Sequence, residues 1–244
     1  MTTPTMRLDR LLANMGYGSR REIAAMVAGE CVTLDGVVLT DSGQHLTLTP
    51  DLPQRLQLEG AALDPLPGMV IMLHKPLGMT CSHKEAGALV YDVLPARFRQ
   101  REPKISSIGR LDKDTTGLLL LTDDGALLHK VISPRQHVAK RYHVTLDRAL
   151  QGDEVGVFAA GTLMLEREET PLLPVAMEVL GTHTARVTLH EGRYHQVRRM
   201  FAAIGNHVVA LHRESIGGLS LPADLPAGQF RVLTPAEIAQ IFAQ

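Results

Sequence analysis

Four prolines, Pro50, Pro53, Pro65 and Pro67, fall between Thr49 and Gly68 and constrain the fold more than any other feature. Proline fixes φ and lacks an N–H, so a stretch this dense reads as an extended connection and not as a helix. The 244 residues therefore divide into a compact module over 1–60, a proline-rich linker over 61–68 and a larger domain over 69–244. In the module, Leu8, Leu11, Leu12 and Met15 share one helical face. Gly16 and Gly18 stop that helix, and Ser19 opens a second one with Glu22 completing a capping box. Ile23, Met26 and Val27 form its apolar side, and Gly29 suits the C′ position. The β-prone runs 31–34 and 37–39 flank Asp35-Gly36, a hairpin signal. The predicted order is helix, helix, hairpin.

The larger domain mixes two periodicities. Met69–Leu73 and Gly117–Leu121 read as buried strands. A helix capped near Thr122 or Asp123 should carry Leu127, Leu128 and Val131 inward. Tyr142, Val144 and Leu146 alternate with Arg141, His143 and Thr145, the mark of a half-buried strand. Val187 and Leu189 open another strand that turns at Glu191-Gly192. The helix after it is expected to place Tyr194, Val197, Met200, Phe201 and Ile204 on one face and to end at Gly205. Strands do not alternate regularly with helices, which predicts an α+β fold on a mixed, mainly antiparallel sheet.

Composition narrows the function classes. With 45% hydrophobic and 21% charged residues, the chain can bury a core, and wholesale disorder is excluded. Cys31 and Cys81 are the only cysteines, and no CxxC occurs, so two reduced thiols are expected and neither a disulfide framework nor a cysteine zinc site. The eleven histidines show no metal-ligand spacing; His190 and His195 share no helical face. No apolar run approaches the ~18 residues of a membrane span, and no secretory signal follows Met1, so a cytoplasmic protein is expected. Walker A, GxGxxG, HExxH and GxSxG motifs are absent.

The formal net charge of −1 argues against a strongly basic nucleic-acid binder, yet the charges are segregated. Arg7, Arg10, Arg20 and Arg21 gather on the two N-terminal helices. Arg97, Arg99, Arg101, Lys104, Arg110 and Lys113 crowd a second stretch, and Lys140, Arg141, Arg193, Arg198, Arg199 and Arg213 add to it. A local basic field can hold a phosphate backbone whatever the net charge, although each cluster alone also suits a solvated face. The absence of Trp, with four Tyr and five Phe, excludes an extended stacking platform for single strands.

Two stretches carry candidate chemistry. In Gly109-Arg-Leu-Asp112, a carboxylate is held at the edge of a buried strand with Arg110 and Lys113 beside it. Such an aspartate also suits a turn with a salt bridge. In 191–200, Arg198 borders the buried stripe next to Val197, where it can pair with a buried carboxylate or lie along the surface with a packed stem.

Residues 109–119, Gly-Arg-Leu-Asp-Lys-Asp-Thr-Thr-Gly-Leu-Leu, resemble the catalytic-aspartate motif of the RNA pseudouridine synthases. Lys140-Arg-Tyr142 resembles their tyrosine strand, 192–198 their basic motif, and His74-Lys-Pro-Leu-Gly78 the Asn-Lys-Pro-x-Gly opening of the same domain, with His74 departing from the pattern. The N-terminal module is similar to an S4 RNA-binding domain. Residues 191–197, 206–209 and 211–218 read like the RsuA type, which modifies 16S ribosomal RNA at the uridine-516 class of site. The 23S enzymes of the same branch more often have Asn-Arg where this chain has Tyr194-His195. A 23S-directed enzyme and a non-catalytic assembly factor are the competing readings.

The resemblance implies a cofactor-free, metal-free isomerase. It makes Asp112 the carboxylate that acts on the nucleotide, Arg198 its paired cation and Tyr142 the ring against the base. RNA contacts are expected from Arg7, Arg10, Arg20, Arg21, Lys75, Arg110, Lys140 and Arg193, with His195 and Gln196 at the entry to the site. The partner implied is ribosomal RNA, within a pre-ribosomal particle, and a monomer is expected.

Overall fold

The computed structural model describes residues 4–82 and 87–243. They form two compact units. One draws on Met1–Met69, Leu94–Ser106 and Thr122–Asp124; the other on Val70–Val93, Ser107–Leu121 and Gly125–Gln244.

In the first unit, strand β1 (Thr5–Arg7) leads into helix α1 (Leu8–Asn14), so Arg7 caps the helix from outside. Leu8, Leu11, Leu12 and Met15 are fully buried, the face that their spacing predicts. Helix α2 (Arg20–Ala28) opens on the Ser19/Glu22 capping box. It ends with Gly29 at the C-cap and φ −85°, and the left-handed residue is Glu30 at φ +58°, not the glycine. The helix stops at Ala28, which moves the C′ position one residue on. Strands β2 (Val32–Leu34) and β3 (Val37–Val38) meet at Asp35-Gly36, both at positive φ, as a type I′ turn requires. Strand β4 (His45–Thr47) pairs with β1.

The proline-rich stretch is folded rather than extended. Pro53 lies in the first turn of helix α3 (Leu52–Arg55), where proline's missing N–H costs no hydrogen bond. Strand β5 (Leu56–Leu58) then pairs with β6 (Ala61–Ala62), and Leu63 joins the core of this unit. Helix α4 (Ala96–Arg99) precedes Arg101, whose Nε lies 3.0 Å from Asp123 in an ion pair sealed from solvent. Arg101 also donates to the Pro65 carbonyl, and Asp123 accepts from the Gly68 amide, so the pair clamps the end of the proline-rich stretch.

The second unit is built on one sheet. Its elements are β7 (Val70–Lys75), β8 (Ser106–Ile108), β9 (Thr115–Thr122), α5 (Gly125–Ile132), β10 (Lys140–Leu146), α6 (Glu154–Ala159), β11 (Ala176–Gly181), β12 (Thr184–Leu189), α7 (Gln196–Ala203), β13 (Val208–Ile216), β14 (Leu219–Ser220), β15 (Phe230–Val232) and α8 (Pro235–Gln240). The strand order is β11-β12-β10-β13-β9-β7-β15, with β14 on β13 and β8 on β9. The β13/β9 pairing is parallel, and β10 is antiparallel to both β12 and β13, which makes the sheet mixed and mainly antiparallel. Leu118 to Leu121 are fully buried, which explains why β9 reads as an unbroken apolar run.

Gly117 fixes how closely β9 and β13 approach. It pairs with Arg213 at φ +107°, and a Cβ there would lie 2.3 Å from the Arg213 carbonyl oxygen. Helix α7 starts at Gln196, later than the apolar spacing predicts. Tyr194 is 75% exposed and precedes the helix, because His195 at φ +47° turns the chain into its first residue.

Candidate active site

A cavity of about 680 Å³ opens in the second unit. Its walls come from the 108–115 loop, the ends of β10 and β13, and the 189–197 turn into α7. Asp112, Tyr142, Lys140, Arg213, Arg110 and His195 all face it. The volume is in the range of ~300–1,000 Å³ that encloses a small ligand.

Asp112 sits on the turn between Gly109, at φ +72°, and β9, and its carbonyl accepts from the Thr115 amide at 3.0 Å. Its carboxylate is partly exposed, and Oδ1 lies 3.2 Å from His195 Nε2. The His195 ring stacks on Tyr194, with centroids 3.9 Å apart. Tyr142 is buried on β10, directly opposite Arg213 on β13. Arg213 is 2% exposed. Its Nη1 donates to the Tyr142 hydroxyl at 3.4 Å, and its Nε to the Leu118 carbonyl at 2.7 Å.

Lys75 supports the 112–115 loop. It is fully buried, and Nζ donates to the carbonyls of Thr115 at 2.8 Å and Pro76 at 3.0 Å, with Lys113 at 3.4 Å. Burial holds its pKa below the usual lysine range. Lys140, half-buried in the cavity wall, donates to the Val138 carbonyl. Burial, with the charge of Arg213 adding to it, lowers its pKa to about 8. Among the described residues no cluster of His, Cys, Asp or Glu could hold a metal ion, and no helix is long and apolar enough to cross a membrane.

Residues 69–203 match the RNA pseudouridylate synthase family, and residues 6–49 match the S4 domain. The chain belongs to the RNA pseudouridylate synthase family. It is 41% identical over 242 residues to ribosomal small subunit pseudouridine synthase A of Yersinia pestis, covering 98% of this chain and 99% of that protein. The protein of the same name from Escherichia coli (strain K12) is 41% identical over 241 residues, covering 97% and 100%. A crystal structure of pseudouridylate synthase matches with a TM-score of 0.68 and 34% identity, over 97% of this chain and 99% of that one. This chain is thus an RNA pseudouridine synthase with an S4 domain at its N-terminal end.

Within the synthase, the cavity brings together Asp112 and Tyr142 from the expected site, with Arg110, Lys140 and His195. Other expectations need correction. Arg198 does not pair with Asp112. Its Nη2 lies 2.9 Å from Asp114 Oδ2, and Nη1 donates to the Val208 carbonyl, which turns the guanidinium away from the cavity. The carboxylate that Arg198 meets is therefore Asp114, and Asp112 meets His195 instead. Lys75 is sealed in the protein and braces the loop, so it is no phosphate contact.

Arg193 is also committed internally, to Glu191, Glu168 and the carbonyls of Thr170 and Pro171. Gln196, 4% exposed, accepts from the Arg193 amide and donates to Glu191. Arg193 thereby holds the 166–171 segment against the start of α7, and both residues line the cavity, where Gln196 was expected at the entry. In the first unit Arg7, Arg10, Arg20 and Arg21 are exposed as expected, with Arg7 forked onto Asp9. His74, the departure from the family pattern, bonds the Leu225 carbonyl through Nδ1.

Arg213 is the site residue that sequence reading assigned only to a basic cluster. Strand alternation marks it: Leu211, Arg213 and Ser215 share a phase, so an arginine occupies an inward position opposite Tyr142.

Proposed function

We propose that this synthase converts a uridine of small-subunit (16S) ribosomal RNA, of the uridine-516 class, into pseudouridine, acting on a pre-ribosomal particle. The relatives named as ribosomal small subunit synthases support the substrate, since they align over nearly the whole chain. The observation that carries the chemistry is the partly exposed Asp112 carboxylate at the cavity, with Tyr142 buried behind it.

The target uridine leaves its stack, at a cost of a few kcal/mol, and enters the cavity. The N1–C1′ bond breaks, and its electron pair stays on N1. Asp112 either bonds to C1′ or takes the proton at C2′. The freed ring turns and C5 bonds to C1′, as the Asp112–C1′ bond breaks or the proton returns from Asp112 to C2′; the C5 proton then leaves and N1 gains a proton. Atoms and electrons balance, and no oxidant or reductant takes part.

His195 directs Nε2 at the carboxylate and fixes its orientation before the substrate arrives. Tyr142 offers the ring face against which the uracil turns. Arg198 holds Asp114, and Lys75 holds the carbonyls of 113 and 115, so Asp112 just ahead of them is presented on a braced loop. Exposed Arg10, Arg20 and Arg21 of the S4 domain, and Arg110 at the cavity, supply phosphate contacts that position the RNA.

Asp112→Asn keeps the shape of the side chain and removes its charge. Tritium release from C5-labelled uridine RNA is expected to fall by at least about a thousandfold. RNA affinity should stay within about threefold. Retained release would remove Asp112 from the mechanism.

A further inference from the structure

Tyr194 presents an aromatic ring to solvent in a protein that covers its other rings. Of the four tyrosines and five phenylalanines it alone is exposed, at 75%. Tyr17 lies under the Arg97 guanidinium, and its hydroxyl accepts from the Asp64 amide. Tyr91 is buried with its hydroxyl on the Cys81 carbonyl, and Tyr142 is buried on β10. A lone apolar side chain on a surface is ordinary. This one lines the cavity that holds Asp112, so its exposed ring stands at the cavity mouth.

The ring is also held in place. One face stacks on the His195 ring, with centroids 3.9 Å apart and planes 16° from parallel. The Gln196 amide donates to the Arg193 carbonyl at 3.2 Å and closes the turn, and Arg199 Nη1 donates to the Tyr194 carbonyl at 3.2 Å. His195 takes a left-handed conformation, φ +47°, that residues with a side chain seldom adopt. The stack covers one face of the Tyr194 ring, and the other face is left to solvent. His195 in turn meets Asp112 at 3.2 Å, so open face, Tyr194, His195 and carboxylate follow in that order.

We propose that the open face of Tyr194 stacks on a base of the RNA next to the target uridine. The proposal rests on the reading of this cavity as the site of isomerisation and adds a grip on the nucleotide beside the one that reacts. A uridine that leaves its stack takes a stacking partner from the bases on either side of it. A fixed aromatic ring at the mouth of the cavity replaces one of those lost stacks, and every base has a face that fits it. Because His195 already restrains the ring, little side-chain freedom is lost when the base arrives. The contact selects for an unstacked neighbour and not for a particular base.

The test is a cycle between protein and RNA. Small-subunit RNA is joined from pieces so that the nucleotide on the 5′ or the 3′ side of the target uridine carries no base, and it is assembled with ribosomal proteins. Apparent affinity and the saturated single-turnover rate are measured with the native protein, Tyr194→Ala and Tyr194→Phe. On the native protein one of the two abasic substrates should bind about tenfold more weakly, as expected for one lost base–aromatic stack. Tyr194→Ala should bind the unmodified substrate about tenfold more weakly as well. Together the two changes should cost about tenfold and not a hundredfold, because they remove the same contact. Tyr194→Phe keeps the ring face and should restore both the affinity and the abasic penalty to within about twofold of native.

Losses that multiply to about a hundredfold, no abasic penalty on the native protein, or native affinity in Tyr194→Ala would overturn the proposal. So would a Tyr194→Ala protein that is slow at saturation yet keeps the full abasic penalty, since the ring would then only prop His195. The reading of the cavity fails separately, through an active Asp112→Asn protein.

Discussion

Two buried arginines, one in each unit, show how the same side chain serves different ends. Arg101 in the first unit faces Asp123 across 3.0 Å, and both side chains are sealed from solvent. Its Nη1 lacks a partner, but its charge is answered by a carboxylate, and its Nη2 holds the Pro65 carbonyl. Arg213 in the second unit has no answering carboxylate among the described residues, and it lines a cavity. The first arrangement closes a structure. The second is answered only by a backbone carbonyl and the Tyr142 hydroxyl. Burial alone therefore does not describe an arginine's surroundings; the identity of what faces it does.

The comparison can be broken most forcefully in the first unit. Asp123→Ala leaves Arg101 charged and alone in the interior, and about 3–5 kcal/mol of stability should be lost. Urea unfolding measures that loss, and the folded fraction should keep its turnover per molecule. A loss under about 1 kcal/mol, the level of an ordinary surface pair, would mean that the clamp is not structural.

A middle case sharpens the contrast. Arg198 is answered by Asp114, as Arg101 is by Asp123, yet it lies beside the loop that carries Asp112. Arg198→Ala should cut turnover about 10–100-fold through loss of loop position, with RNA affinity within about threefold. If affinity falls and turnover holds, Arg198 is a phosphate contact instead.

The smallest effect belongs to the exposed cations. Replacing Arg20 and Arg21 by Ala should weaken RNA binding several-fold at moderate salt and flatten its salt dependence by about one unit of slope or more, with the saturated rate unchanged. Binding titrations at three salt concentrations measure this. An unaltered slope would take these two arginines out of the RNA interface.

Much of this arrangement is legible in the chain. The capping box at Ser19 and the Asp35-Gly36 turn are local rules, satisfied by neighbouring residues, and both form as predicted. The resemblance at 109–119 leads to Asp112, which the structure places at the cavity. What sequence does not carry is the partner of each charge. Arg101 and Lys75 look like surface cations until the fold surrounds them. Arg198 was matched to Asp112 by motif, but the choice between Asp112 and Asp114 depends on where a loop and a helix start meet. Tyr194 fits a helical face by spacing, and the left-handed turn at His195 takes it out of the helix. Long-range geometry decides these cases, and periodicity is blind to it.

The net charge of −1 shows the same limit. It counts Lys75, Arg101 and Arg193 as though they faced solvent, while the first two are sealed and the third is spent on the protein's own oxygens. The cations on the surface are fewer than the sum suggests, and they include Arg10, Arg20 and Arg21 of the S4 domain.

The central claim is that isomerisation takes place at Asp112, while RNA affinity comes from other side chains. Tritium release and RNA binding measured together on Asp112→Asn test it most directly. The account expects release to vanish while binding stays within about threefold. Release at the native rate, or equal loss of both, would contradict it.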